Sequence, residues 1–219
     1  MDYAFIEKIL PLYERAAVLT LSIGVMGILL SFLVGIACSL VLYFKVPILR
    51  RIVQVYVELS RNTPLLIQLF FLYYGMPKMG CALSAEACGT IGLSFLGGSY
   101  MTETFLAGLS GVAVIQRESA YALGLSDIQT AFFVIIPQAV SVSVPGLVAN
   151  VIFLQKETSV FSAISLMDLM YTAKDLIGIY YKTTECLFLL VVFYVIILLP
   201  VSIVGSLVER RVRYAGFGS

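Results

Sequence analysis

The sequence contains no histidine, no tryptophan and only four cysteines among its 219 residues. Histidine and closely spaced cysteines are the usual protein ligands of zinc and haem iron, and this chain has no C-x-x-C pair. We therefore expect no bound metal. A membrane enzyme is also disfavoured, because a nucleophilic side chain would have no histidine to act as its base.

Charged residues are scarce as well, at 12% of the chain, whereas hydrophobic residues make up 60%. The formal net charge is +1, and no extended basic face is available to neutralise phosphates, so we expect no nucleic-acid partner. Such an apolar composition is typical of an integral membrane protein. We find no internal repeat and expect one transmembrane domain over residues 1–219.

Apolar stretches close to the length of a membrane-spanning helix, about 20 residues, occur five times. The predicted spans are approximately 16–44, 53–74, 90–112, 137–154 and 186–208. The first is longer than the apolar core of a signal peptide, so we expect it to be retained. Basic residues follow the first and last spans: Lys45, Arg50 and Arg51, then Arg210, Arg211 and Arg213. Because such clusters mark the cytoplasmic side, we predict an all-α membrane protein with five transmembrane helices, its N-terminus outside and its C-terminus inside.

The segment at about 113–136 separates the third and fourth spans and would face the cytoplasm. Its first part has helical spacing and ends at Gly124, which can adopt a left-handed cap without Cβ strain. Ser126 and Gln129 form a capping-box pattern, so a second helix is predicted to begin there and to end at Pro137. An amphipathic linker lying on the membrane is the alternative interpretation.

Ionisable residues inside spans are costly and are therefore candidates for function. Glu58 and Arg61 are three residues apart on one predicted helix, which favours a structural ion pair. Glu103 lies in the third span, where it must find another cation, accept a proton or meet the amino group of a substrate.

A dense set of polar groups follows the fourth span. It consists of Gln155, Lys156, Glu157, Thr158 and Ser159. These donors and acceptors could bind a zwitterion or form a gate, or they could be a solvated helix end. A mixed-charge segment follows and is predicted to form an external short helix or a re-entrant segment.

Two cysteines, Cys81 and Cys88, share the predicted external loop between the second and third spans. An oxidising compartment would permit a disulfide between them. Two free thiols remain the alternative, because the sequence does not report their geometry.

The 113–136 segment also carries a family pattern. Glu118-Ser119-Ala120, Gly124 and Val134-Ile135-Ile136-Pro137 resemble the cytoplasmic signature loop of ABC importer permeases, which reads Glu-Ala-Ala, three residues, Gly, nine residues, Ile-x-Leu-Pro. Ser119 stands at the second position of that pattern, where alanine is usual. We expect the small side chains of Ser119 and Ala120 to lie on the surface, where they would permit close approach by another protein. Three further stretches are similar to permeases for polar amino acids: SRNTPLLIQLFFLYYGMP, SYMTETFLAGL and LQKETSVFSAI.

The resemblance implies a type I ABC importer permease bundle in the bacterial inner membrane. It implies an ATP-binding subunit, a second permease chain, an extracytoplasmic solute-binding protein and a polar amino acid as substrate. The chain has no G-x-x-x-x-G-K-[ST] loop, so ATP and Mg²⁺ are expected in the partner and no cofactor in this chain.

The resemblance also suggests roles for individual residues. Coupling to the ATP-binding subunit would involve Glu118, Ser119, Ala120, Gly124 and Pro137. The substrate path would include Glu103, Gln155, Lys156, Glu157, Thr158 and Ser159. Leu106 stands where the family usually has arginine, and Glu157 where it has aspartate, so the identity of the amino acid stays open. The alternative function is a secondary transporter or channel subunit that does not depend on ATP.

Overall fold

A computed structural model describes the backbone of residues 1–216 and the side chains of residues 1–212. Within residues 1–216 the fold is helical throughout and contains no β-strand, as the sequence predicts. The side chain of Arg213, part of the predicted basic tail, lies outside the described residues.

The α-helices, in chain order, are α1 (Tyr3–Tyr43), α2 (Leu49–Arg61), α3 (Leu65–Phe70), α4 (Ala85–Gly111), α5 (Val114–Ala122), α6 (Asp127–Thr130), α7 (Ile136–Glu157), α8 (Leu169–Tyr180) and α9 (Thr183–Gly216). Turns of π-helix at Phe71–Gly75 and Ala131–Ile135 and turns of 3-10 helix at Met76–Met79 and Thr158–Ile164 extend some of them. The short helix α8 lies in the mixed-charge segment after the fourth predicted span. The sequence predicts either an external short helix or a re-entrant segment there.

Three continuous helical stretches are long and apolar enough to cross a membrane in the described part of the chain: Tyr3–Tyr43, Asp127–Ile164 and Thr183–Val212. They contain the predicted first, fourth and last spans. The predicted third span lies within α4, which is 27 residues long. The predicted second span is divided at residues 62–64, because α2 ends at Arg61 and α3 begins after Pro64.

Small residues let α1 and α4 approach closely. Gly27, Ser31 and Gly35 recur every four residues on α1 and are buried. A Cβ added to Gly97 of α4 would lie 2.2 Å from the Ser31 Oγ atom, and one added to Gly35 would lie 2.4 Å from the Met101 Cβ atom. This contact resembles the small-xxx-small packing of membrane helices.

The contact between α4 and α7 is built in the same way. A Cβ on Gly108 would lie 1.9 Å from the Ser143 Oγ atom, and one on Gly146 would lie 2.7 Å from the Thr104 Cγ2 atom. The Asn150 Nδ2 group donates a hydrogen bond of 2.9 Å to the Thr104 hydroxyl. The glycines of these two helices therefore pack within the chain.

Both π-helical turns directly precede a proline. The Met76 N–H donates to the Phe71 carbonyl before Pro77, and the Ile136 N–H donates to the Ala131 carbonyl before Pro137. A proline in a helix lacks an N–H and collides with the carbonyl four residues earlier. The wider turn removes this collision, so the prediction that Pro137 ends the second helix is wrong. The helix continues through Pro137 into α7.

Candidate functional sites

The α5–α6 turn, residues 114–130, is a tight helical corner. Gly124 has a φ of +81°, in the left-handed region that favours glycine. Its N–H donates to the Tyr121 carbonyl at 2.9 Å, and the Leu125 N–H donates to the Ala120 carbonyl at 3.1 Å. These two bonds form the glycine cap predicted from the sequence. A Cβ at Gly124 would contact nothing within 4 Å, so the backbone conformation, and not packing, requires glycine there.

The second arm of this corner begins with the predicted capping box. The Ser126 hydroxyl accepts from the Gln129 N–H, and the Gln129 side chain accepts from the Ser126 N–H. The Tyr121 hydroxyl donates a hydrogen bond of 2.9 Å to Asp127 Oδ1 across the corner. This bond raises the pKa of Tyr121, because the phenol is the form that donates. The two arms are therefore fixed relative to each other.

The outer surface of the α5–α6 turn is exposed. Glu118 and Ser119 are exposed, as predicted, whereas Ala120 is buried. The prediction of a surface position for Ala120 is wrong because α5 packs against the turn at Ala131–Ile135, and Ala120 lies on the inner face of the corner. Large apolar residues of the α5–α6 turn and of the π-helical turn that follows it are exposed: Val114, Ile115, Leu123, Ile128, Phe132 and Phe133. Leu123 is the most exposed of these residues, at 83%.

The polar residues at the end of α7 do not share one environment. Gln155 is 2% exposed, and its amide packs where a Cβ on Gly24 of α1 would lie. Thr158 is fully buried and its hydroxyl donates to the Gln155 carbonyl at 2.8 Å. Lys156 is exposed, while Glu157 and Ser159 are partly exposed. Gln155 and Thr158 therefore help to hold α7 in the bundle, and the other three residues remain accessible.

The ion pair at α2 differs from the prediction. Arg61 pairs with Glu103 of α4 and lies over the ring of Tyr100, with 5.2 Å between Arg61 Cζ and the ring centroid. Glu58 accepts from the Asn62 amide at 3.2 Å. The predicted structural ion pair between Glu58 and Arg61 is therefore wrong. Arg61 is the last residue of α2 and reaches α4, where Glu103 needs a cation.

This ionic cluster borders a cavity of about 250 Å³. Its lining residues are Val57, Glu58, Arg61, Asn62 and Tyr100. The side chains of Arg61 and Glu103 are 39% and 45% exposed. The wall of this accessible cavity thus contains the Arg61 guanidinium and the Glu58 carboxylate, and Glu103 of α4 lies beside it through its ion pair with Arg61.

Asp168 is a buried acid that sequence reasoning missed. Its Oδ1 atom accepts from the Tyr171 N–H at 2.8 Å and so caps α8, while its Oδ2 atom has no hydrogen-bond partner among the described residues. Burial raises its pKa to about 7, against smaller opposing effects from backbone hydrogen bonds and Lys174. An aspartate three residues before a helical tyrosine predicts a cap, but no local pattern predicts its burial.

Cys81, in the loop before α4, and Cys88, in the first turn of α4, are both free thiols in the structure. Cys81 is exposed, whereas Cys88 is completely buried in the core formed by α1, α3 and α4.

Comparisons with known proteins agree on one family. The model of the "binding-protein-dependent transport system inner membrane component" family matches residues 13–214. A probable glutamine ABC transporter permease protein of Bacillus subtilis (strain 168) is 33% identical over 180 residues, covering 81% of this chain and 83% of the relative. An L-cystine transport system permease protein of the same strain is 31% identical over 206 residues, covering 93% of this chain and 88% of the relative.

A solved structure is also similar. The crystal structure of an amino acid ABC transporter with histidines contains a chain that superposes with a TM-score of 0.89 at 28% identity. The superposition covers 96% of this chain and 99% of that chain.

Proposed function

The chain belongs to the binding-protein-dependent transport inner membrane family, as an amino-acid ABC transporter permease, and from this premise we propose how it carries out transport. It would form the translocation path for a polar amino acid and couple that path to a separate ATP-binding subunit through residues 118–137. The observation that carries this proposal is the rigid, exposed α5–α6 turn with its apolar rim.

The proposed topology has five spans, with the N-terminus outside and the C-terminus inside. Three apolar helices support it directly. Helix α4 has 27 residues and is about 40 Å long, enough to cross about 30 Å of hydrocarbon. The interrupted α2–α3 segment would supply the remaining span. Lys45, in the turn after α1, and Arg50 and Arg51, in the first turn of α2, would then face the cytoplasm, on the same side as the α5–α6 turn.

The α5–α6 turn is suited to transmit force. An exposed apolar surface on a segment that leaves the membrane is favourable when another protein or the membrane surface covers it, and in this proposal the ATP-binding subunit covers it. Because the capping box, the Gly124 cap and the Tyr121–Asp127 hydrogen bond hold the corner together, movement of a bound partner would move α4 and α7 as well. Glu118 and Ser119 would contact the ATP-binding subunit, Gly124 would set the corner, and Pro137 would lie where the corner joins α7.

The ATP and Mg²⁺ sites belong, in this proposal, to the partner subunit. A second permease chain would complete the path, and an extracytoplasmic solute-binding protein would deliver the amino acid. The names of the two relatives, for glutamine and L-cystine, favour a polar amino acid. Glu103, Lys156, Glu157 and Ser159 would line the path, whereas the buried Gln155 and Thr158 would shape its wall.

Co-purification tests the docking part of the proposal. Leu123→Asp places a charge in the most exposed apolar position of the α5–α6 turn and should reduce the recovered ATP-binding subunit and ATPase activity at least about tenfold, as expected for a contact at the centre of an interface. Met79→Asp alters another exposed apolar residue, 73% exposed, in the loop before α4 and is the matched control.

Equal recovery with both variants would show that the α5–α6 turn is not the docking site. Amino-acid transport by a purified chain that has no ATPase partner would favour the alternative function, a secondary transporter or channel subunit.

A further inference from the structure

We propose that the cavity beside Arg61 binds the carboxylate and ammonium groups of the transported amino acid, and that it prefers neutral and basic amino acids to acidic ones. This inference rests on the proposed transport function and assigns a substrate site to α2 and α4. The residues that would bind are Arg61, Glu58 and Glu103.

The position of the ionic cluster indicates that it faces water. Glu103 lies eight residues, or about 12 Å, from the end of α4 at Gly111, and about 27 Å from its start at Ala85. At this depth an ionised side chain faces protein or a water-filled space and not lipid. Because the Arg61 and Glu103 side chains are more than a third exposed, this face of the bundle would border the passage.

The Arg61 guanidinium has more N–H donors than its ion pair with Glu103 uses. Its guanidinium group carries five N–H donors, and Glu103 is its hydrogen-bond acceptor in the described part of the chain. The Tyr100 ring, whose centroid is 5.2 Å from Arg61 Cζ, makes a cation–π contact that helps to hold the guanidinium in place. A planar guanidinium fixed in this way can bind a carboxylate through two parallel hydrogen bonds.

The two carboxylates suit an ammonium group. Glu58 Oε2 accepts one hydrogen bond, of 3.2 Å, from the Asn62 amide, and Glu103 contacts only one edge of Arg61. An ammonium has three N–H donors, which these acceptors could share. The cavity of about 250 Å³ is somewhat smaller than pockets for drug-sized ligands, so it fits a small head group.

The charges of the cluster predict selectivity. Glu58, Arg61 and Glu103 together carry a formal charge of −1. A neutral amino acid brings no net charge, a basic one compensates the cluster, and an acidic one adds a second uncompensated negative charge. Like charges at a binding surface disfavour association.

Binding to the purified chain in lipid nanodiscs tests the site, with radiolabelled L-glutamine, L-arginine and L-glutamate as probes. The unaltered chain should bind the first two saturably and L-glutamate more weakly. Arg61→Ala should weaken binding of L-glutamine and L-arginine at least about tenfold, as expected when a charged partner is lost. Arg61→Lys should restore part of it, because lysine keeps the charge but not the bidentate geometry.

Glu58→Gln is a milder variant that tests the charge argument. It removes one negative charge and should narrow the preference for L-arginine over L-glutamate roughly three- to tenfold, as expected for a partly exposed charge. Lys182→Ala is the matched control, because it breaks an exposed ion pair with Asp2 elsewhere in the fold. Its binding should equal that of the unaltered chain.

Unchanged binding in Arg61→Ala, or no saturable binding of any probe by the unaltered chain, would overturn this inference. Neither result would affect the importer role, which fails separately if a complex with the ATP-binding subunit does not drive uptake.

Discussion

Asp168 is the residue whose chemistry the fold changes most clearly outside the spanning helices. It is fully buried, and in the part of the chain that the structure describes only one of its two carboxylate oxygens has a hydrogen-bond partner. Lys174 on the same helix lowers its pKa slightly, and the Tyr194 hydroxyl of α9 is a neutral titratable group that interacts with it. Because its pKa is raised to about 7, Asp168 holds a proton over much of the range in which an unfolded aspartate is ionised.

This raised pKa predicts a dependence of stability on pH. The proton is bound more tightly in the folded chain, so the stabilisation is complete below about pH 4, where an unfolded aspartate is also protonated, and is lost as the pH rises through about 7. The melting temperature should therefore fall between these values, with a slope in unfolding free energy of at most about 1.4 kcal/mol per pH unit. Thermal unfolding followed by circular dichroism in nanodiscs measures it.

Asp168→Asn should remove this slope, because asparagine retains the oxygen that caps α8 but does not titrate. Above pH 7 the variant should be more stable than the unaltered chain. Asp175→Asn, at an exposed position of α8, should keep the slope. An unchanged slope in Asp168→Asn would contradict the assignment.

Local chemistry explains which residues could be predicted from the sequence. The Gly124 cap and the Ser126–Gln129 capping box involve neighbours within a few residues, and the structure confirms both. The partner of Arg61 could not be predicted in this way, because Glu103 is 42 residues away and is brought close only by helix packing. The burial of Ala120 likewise depends on how α5 folds back on the chain.

At the scale of helices, hydrophobicity predicts the long elements well and their interruptions poorly. The apolar run at 53–74 suggests one helix, yet it is divided at residues 62–64. Pro64 carries the signal for this break, since a residue before proline avoids the helical conformation. Pro77 and Pro137 have a different outcome, because a π-helical turn comes before each of them. The chain then continues as a 3-10 turn to Met79 in the first case and as α7 in the second.

The close contact of α1 and α4 predicts the effect of a single methyl group. Gly35→Ala would place Cβ 2.4 Å from the Met101 Cβ atom and 3.0 Å from the Met101 carbonyl carbon. We expect it to destabilise the chain by about 1–3 kcal/mol, a typical cost of overpacking, and to lower the melting temperature.

Gly178→Ala is the control for this change, since a Cβ there meets nothing within 4 Å. Alanine favours a helix over glycine by up to about 1 kcal/mol, so this variant should melt at or above the temperature of the unaltered chain. If both variants shift the melting temperature in the same direction and by the same amount, the small-residue contact does not limit α1–α4 packing.

The whole molecule combines a membrane-embedded bundle with a rigid corner that projects from it. Glycine contacts pack α4 against both α1 and α7, and the α5–α6 turn connects α4 to α7. Displacement of the corner would therefore reach the ionic cluster on α4 through a continuous packed path. In the proposed function, this arrangement would provide the mechanical coupling between the permease and its ATP-binding subunit.

The family was identifiable from the sequence, because the spacing from Glu118 to Pro137 is intact, and the match to residues 13–214 confirms it. The substrate could not be identified from the sequence, because the polar groups that could recognise it come from separate helices.

ATP-driven uptake of a radiolabelled amino acid by proteoliposomes containing the full complex tests the central claim most directly. Gly124→Val should lower uptake to roughly a tenth or less, because the left-handed conformation costs a side-chain-bearing residue about 1–2 kcal/mol and more when β-branched. Gly80→Val, at a glycine with a φ of +88° and equally open surroundings, should leave uptake near that of the unaltered complex. Normal ATP-driven uptake by Gly124→Val, or uptake that does not require ATP, would contradict the account.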